Sequence, residues 1–185
     1  MAEYYLISQL PSLDGVSENV PLPITEERFN ELCERFLGKK SQEAIKKISL
    51  SPPKNAESLG SSLIDAWNEC EINLRFALGK VRAEKMNKVF DTENRILPVE
   101  YIKAANTAIE KENPMEAEKY LNSYRLEMLE TLRPMDAFSD EYIFYYGLKL
   151  KLLLRIRQFD TETGKKAYRN IYNSIIKGEN LEEEQ

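Results

Sequence analysis

Leu63, Trp67, Cys70, Leu74, Ala77 and Val81 recur at alternating spacings of four and three. This is the a/d seam of an amphipathic α-helix, sustained for nearly three heptads. Ser62 and Asp65 fit a capping box at its start. Met86, Val89 and Phe90 continue the apolar pattern, so the helix is expected over about residues 62–90. At 1.5 Å per residue its length is roughly 42 Å, which implies an elongated bundle or a helix running past its own core. Gly79 weakens it by up to about 1 kcal/mol and permits close approach of another helix. The seam is compatible with pairing inside the chain or with a second copy. Glu71 and Arg75 form a favourable i, i+4 pair.

The rest of the chain reads as further helices. Tyr4–Leu13 is a short strand or a buried helical turn or two, since periodicity cannot separate these at such a length. Asp14–Gly15 marks a turn, and Pro21 and Pro23 keep the following residues extended. Thr25 is an N-cap with Glu26 and Glu27 behind it. Phe29, Leu32, Cys33, Phe36 and Leu37 then share one helical face, and Gly38 ends the helix. Ser41–Leu50 is a second short helix, and the polar stretch Ser51–Ser61 is the expected linker. Pro98 and Pro114 stand at helix starts. Ser139 caps a helix to about Gln158 that is apolar on nearly every face and therefore central. Asp160 or Thr161 caps the last helix, with Tyr168, Ile171, Tyr172, Ile175 and Ile176 on its stripe and Gly178 at its end. The expected fold is all-α, an elongated helical bundle of about six to seven helices. Residues 1–50 form an N-terminal helical segment, 51–61 the linker, 62–178 the main bundle and 179–185 a disordered acidic tail.

Composition restricts the chemistry. The 185 residues include no histidine and two cysteines. Ser-His-Asp and Cys-His catalysis, histidine-ligated metals and a histidine pH switch are thereby excluded. Cys33 and Cys70 provide neither a disulfide framework nor a Cys-x-x-Cys zinc site, and on apolar faces they read as inert small hydrophobes. No Gly-rich phosphate loop is present, and Gly60-Ser61-Ser62 reads as a plain N-cap. No run approaches the about 20 apolar residues needed to span a bilayer, and the N-terminus is no secretory signal. The net charge of −5 argues against broad nucleic-acid binding. No catalytic residues, cofactor or metal are expected. Tyr142, Tyr145 and Tyr146 cannot share one side of a helix, so at least one belongs at a subdomain junction or near the surface. Charge is uneven: the region from Asp140 to Lys177 is basic and the tail beyond it acidic. Candidate partner contacts are the basic patch of Lys149, Lys151, Arg155 and Arg157, and the end of the long helix from Met86 to Arg95.

Three stretches carry a family resemblance: YYLISQLPSL at residues 4–13, PLPITEERFNELC at 21–33 and FDTETGKKAYRNIYNSIIKG at 159–178. They resemble an uncharacterised bacterial family, common in Bacteroidetes, encoded among the subunits of V-type (archaeal-type) ATP synthases. In those gene clusters it stands where the gene for the d-type collar, the helical piece between central stalk and membrane ring, is expected. That collar is much longer and built from three repeated helical domains, so the resemblance implies a reduced collar or a different role in the same operon. Its implied partners are the central stalk and membrane ring. Its implied location is cytoplasmic, peripheral on the inner membrane through the complex. The competing expectations are a transient assembly factor or helical interaction module, and an enzyme of unrecognised type using carboxylates and tyrosines.

Overall fold

The computed structural model describes residues 2–16, 20–158 and 168–173. All regular structure within them is helical, and the fold is an all-α bundle. The N-terminal stretch forms α1, Ala2–Gln9, which sends Leu6 into the core. α2, Glu26–Phe36, starts where Thr25 accepts a hydrogen bond from the Arg28 N–H (3.2 Å). It stops before the expected Gly38. Leu37 is extended, and Gly38 is already the N-cap of α3, Lys39–Lys47. Gln42 donates from Nε2 to the carbonyls of Glu34 (2.9 Å) and Leu37 (2.8 Å). These are acceptors that a helix end leaves without an internal partner.

The long helix α4 spans Ser62–Lys85, not 62–90. Its 24 residues measure about 36 Å. Asn87 takes a left-handed φ of 51°. The Asn87 N–H bonds the Glu84 carbonyl (3.1 Å) and the Lys88 N–H bonds the Ala83 carbonyl (2.8 Å). This is a Schellman stop, which asparagine tolerates better than most residues. The start also differs from the expected capping box. Ser61 is the N-cap, its Oγ accepting from the Ile64 N–H (3.2 Å), while Asp65 accepts from Ser58 Oγ. The reciprocal carboxylate comes from across the bundle: Glu141 Oε2 accepts from Ser61 Oγ (2.8 Å) and the Leu63 N–H (2.9 Å). Glu71 does not pair with Arg75, which instead donates to the Pro52 carbonyl.

α5 (Val99–Glu110) packs along α4 and α6. α6 (Pro114–Thr131) opens with Asn113 as N-cap and Pro114 in its first turn. α7 (Asp140–Gln158) packs against α6, α4, α2 and α3. Its start is set by Ser139, whose Oγ accepts from the Tyr142 N–H. As expected of a central helix, it buries every residue from Ile143 to Leu150. Residues 168–173 are helical, and Tyr168, Ile171 and Tyr172 are exposed there. The cap at Asp160 or Thr161, the residues from Ile175 to Gly178, and the acidic tail lie outside the described residues.

Two apolar clusters result. The first joins α1, α2, α3, the start of α4 and α7 around fully buried Trp67, whose Nε1 donates to the Ser49 carbonyl (3.1 Å). The second joins Leu74, Ala77, Leu78 and Val81 of α4 to Tyr101, Ala104, Ala105 and Ala108 of α5 and to Leu121 of α6. The seam of α4 is therefore covered within the chain. Its small α5 partners let the two backbones approach closely. Met128 adjoins both clusters, so α6 bridges them.

Candidate functional site

The four cations expected to form a basic patch do not all share one face of α7; Lys151 and Arg155 line one cleft. Residues two apart on a helix differ by about 200° in direction, so Lys149 and Lys151 leave α7 on opposite sides, as do Arg155 and Arg157. Each meets its own partner. Lys151 binds Glu26 of α2 (2.8 Å) and Arg155 binds Glu118 of α6 (2.6 Å). Arg157 donates to the carbonyls of Leu153 (3.3 Å) and Val20 (2.8 Å). These side chains fasten α7 to its neighbours.

Lys149 is buried. Its Nζ lies 2.5 Å from Asp14 Oδ1 and 2.6 Å from Glu130 Oε1, and it donates to the Tyr145 hydroxyl (3.2 Å). Tyr145 in turn donates to Glu130 (2.7 Å). The Lys149 hydrogen bond holds the Asp14 carboxyl below the usual carboxylate range. Burial alone would raise Glu130, but hydrogen bonds from Lys149 and Tyr145 outweigh it and the carboxyl is lowered. Burial pushes the Tyr145 hydroxyl up to about 12. Arg133 lies over the rings of Tyr142 and Tyr145 (5.9 and 5.7 Å). The Tyr146 hydroxyl donates to the Pro11 carbonyl (2.8 Å). Tyr142 is half-buried, while Tyr145 and Tyr146 are both buried. Lys149 and Tyr146 thus form a clasp that holds the N-terminal segment, through Asp14 and Pro11, onto α7.

A second ionic group crosses the bundle between the two apolar clusters. Glu71 of α4 is 1% exposed and receives two parallel hydrogen bonds from Arg125 of α6, both 3.0 Å. Asn122 Oδ1 accepts a further one at 3.3 Å. Glu118 stands 3.6 Å from Arg125 and carries the network on to Arg155. The bidentate fork satisfies both carboxylate oxygens, the condition under which a buried pair is tolerated.

The remaining candidates, Met86 and Arg95, flank the α4–α5 connection. Met86 is exposed, and so are Val89 (100%) and Ile96 (92%) of the same connection and Val99, the first residue of α5. Arg95 is not free: it binds Glu69 (2.6 Å) and Asn73 (3.2 Å) and lies over the Phe76 ring (5.4 Å). Phe90 folds back onto α4, its ring occupying the space a Cβ on Gly79 would need. Gly79 therefore admits a loop aromatic rather than another helix. Among the described residues, no cluster of His, Cys, Asp or Glu is arranged to hold a metal ion. No helix among them is long and apolar enough to cross a membrane.

The connection from Phe90 onward, α5, α6 and α7 fall within one family match. Residues 90–179 match a family described as Protein of unknown function (DUF2764). No curated protein and no solved structure matches the chain. The match takes in Arg95, Lys149, Lys151, Arg155 and Arg157 and leaves out Met86 and the first core's α1–α3 segment.

The burial of two residues named in the sequence reading, Glu71 and Lys149, escaped that reading, and in both cases it carried a signal. Glu71 follows Trp67 by four positions and precedes Leu74 by three, which places it on the buried face. Lys149 stands four after Tyr145 and three before Leu152 on a helix read as apolar all round.

Proposed function

We propose that this chain is a non-catalytic subunit or accessory protein of a V-type (archaeal-type) ATP synthase, resembling the d-type collar between central stalk and membrane ring. The resemblance of residues 4–13, 21–33 and 159–178 supports the class of function. The observation that carries the docking mode is the α4–α5 connection and the residue after it, where Met86, Val89, Ile96 and Val99 are all exposed. Exposed apolar groups gathered on one connection are a common mark of a protein contact. The α7 cations each have a partner within the chain, which favours an apolar contact at this connection over a basic one on α7.

The test is to tag the protein in its native host, solubilise membranes gently, and identify co-purifying proteins with their stoichiometry. Recovery of V-type ATPase subunits at about one copy per complex is expected. Complete ATPase purified without this protein overturns the reading as a stable subunit. Substoichiometric recovery that disappears as salt is raised marks a transient assembly factor.

A further inference from the structure

A cleft of about 180 Å³ lies between α4, the segment before it and the connection after it, lined by Lys54, Ile72, Arg75, Phe76 and Phe90. Its apolar walls are well defined. Ile72 and Phe76 are buried, and the Phe90 ring meets Phe76 edge to face with centroids 6.1 Å apart. An apolar cavity of roughly 150 Å³ takes up benzene, so this space accommodates one ring-sized group.

The polar side of the cleft is cationic and incompletely matched. Lys54 Nζ sits 5.1 Å from the Phe76 ring centre and 2.5 Å from Glu93. Arg95 covers the same ring and is bound by Glu69. Arg75 gives one Nη2 hydrogen bond to the Pro52 carbonyl, and its Nε is enclosed without an acceptor among the described residues. Three cations, Lys54, Arg75 and Arg95, thus meet two carboxylates, Glu69 and Glu93, leaving one positive charge in excess. An enclosed N–H donor on a charged group is costly to leave unmade.

We propose that this cleft binds a monoanion in which a carboxylate is attached to a ring-sized apolar group. The apolar group lies in the cleft against Phe76, Phe90 and Ile72. The carboxylate pairs with Lys54 and the Arg75 guanidinium, both of which line the cleft, and this neutralises the excess charge. Two sources offer this chemistry: a free aromatic acid, and the C-terminal residue of a protein chain. The inference is independent of the ATP-synthase reading and stands or falls separately.

The experiment is an NMR titration of the full-length protein, following backbone amides and arginine Nε–H signals. The probes are phenylacetate, its uncharged analogue phenylacetamide, and a short peptide ending in phenylalanine with a free carboxylate. Phenylacetate, the peptide or both are expected to give saturable shifts at Arg75 Nε–H and at the amides of Phe76 and Phe90. Phenylacetamide is expected to bind weaker than phenylacetate by about tenfold or more, the loss of a charge-assisted contact. Lys54→Met, at an exposed side chain, is expected to weaken binding of the acids while leaving the melting temperature unchanged. Tighter binding of the peptide assigns the site to a chain terminus, and binding of phenylacetate alone assigns it to a free acid; both uphold the carboxylate reading. Absence of saturable shifts with every probe, or equal binding of acid and amide, overturns it.

Discussion

Replacing Arg125 by methionine tests how the bundle is tied across its middle. The substitution removes the guanidinium and keeps much of the side-chain volume. Glu71 remains 1% exposed and loses both 3.0 Å hydrogen bonds. A buried carboxylate stripped of its partner costs about 3–5 kcal/mol. For a chain of this size each kcal/mol moves the melting temperature by roughly 2–4 °C, so a fall of about 6–20 °C is expected. The double variant Glu71→Leu with Arg125→Met removes both charges, and apolar replacement of a buried pair is often neutral or stabilising. Its melting temperature is therefore expected near or above that of the wild type. Thermal melts by circular dichroism, with urea titrations to convert midpoints into free energies, decide the matter. A loss below about 1 kcal/mol for Arg125→Met, or a double variant less stable than either single one, would refute the account of Glu71 as a charge that depends on Arg125.

Four shorter predictions follow the same geometry. Asp14 and Glu130 have folded-state pKa values below their unfolded ones, so their stabilisation is complete above the ordinary carboxylate range and lost as pH falls through the lowered values; Lys149→Met is expected to flatten this acid limb in urea midpoints measured between neutral and strongly acidic pH. Gly147→Ala places a Cβ 3.1 Å from the ring of Phe29, which is 2% exposed and stacked on Tyr146; overpacking of about 1–3 kcal/mol set against a helix-propensity gain of about 1 kcal/mol is expected to leave a net loss readable in a melt. Burial pushes the Cys33 thiol up to about 12 and also raises half-buried Cys70, so iodoacetamide at neutral pH is expected to label Cys70 first and Cys33 only on unfolding, as mass spectrometry would show. The paired substitution Val89→Ser and Ile96→Ser is expected to change stability by no more than about 0.5 kcal/mol while sharply reducing co-purification of partner subunits.

The helices were legible because their signals are local. Thr25, Ser139, Pro98 and Pro114 mark helix starts through chemistry contained within a few neighbouring residues, and the structure uses all four. The a/d seam of α4 named five residues that are almost wholly buried. What was not legible depended on distant partners. Glu141 caps α4 from the first turn of α7, and Arg125 claims Glu71 from 54 positions away. The pairing of the four α7 cations was not legible either: they do not share one face of the helix, and their carboxylate or carbonyl partners come mostly from distant parts of the chain. The end of α4 was readable in principle: Asn87 followed by Lys88 is a left-handed stop, but the apolar Val89 and Phe90 beyond it extended the pattern. Those two residues instead pack back or face outward, and they delimit the cleft and the exposed connection.

The clasp between α7 and the N-terminal turn has a consequence for synthesis. The Tyr146–Pro11 and Lys149–Asp14 bonds each join residues 135 positions apart. Ribosomes add about 5–20 residues per second, so on the order of ten seconds separates the emergence of the two halves. During that interval Leu6, Phe29, Leu32 and Ile45 have been made, but the α7 face that buries them has not. The nascent chain therefore carries an unfinished apolar surface through most of its translation.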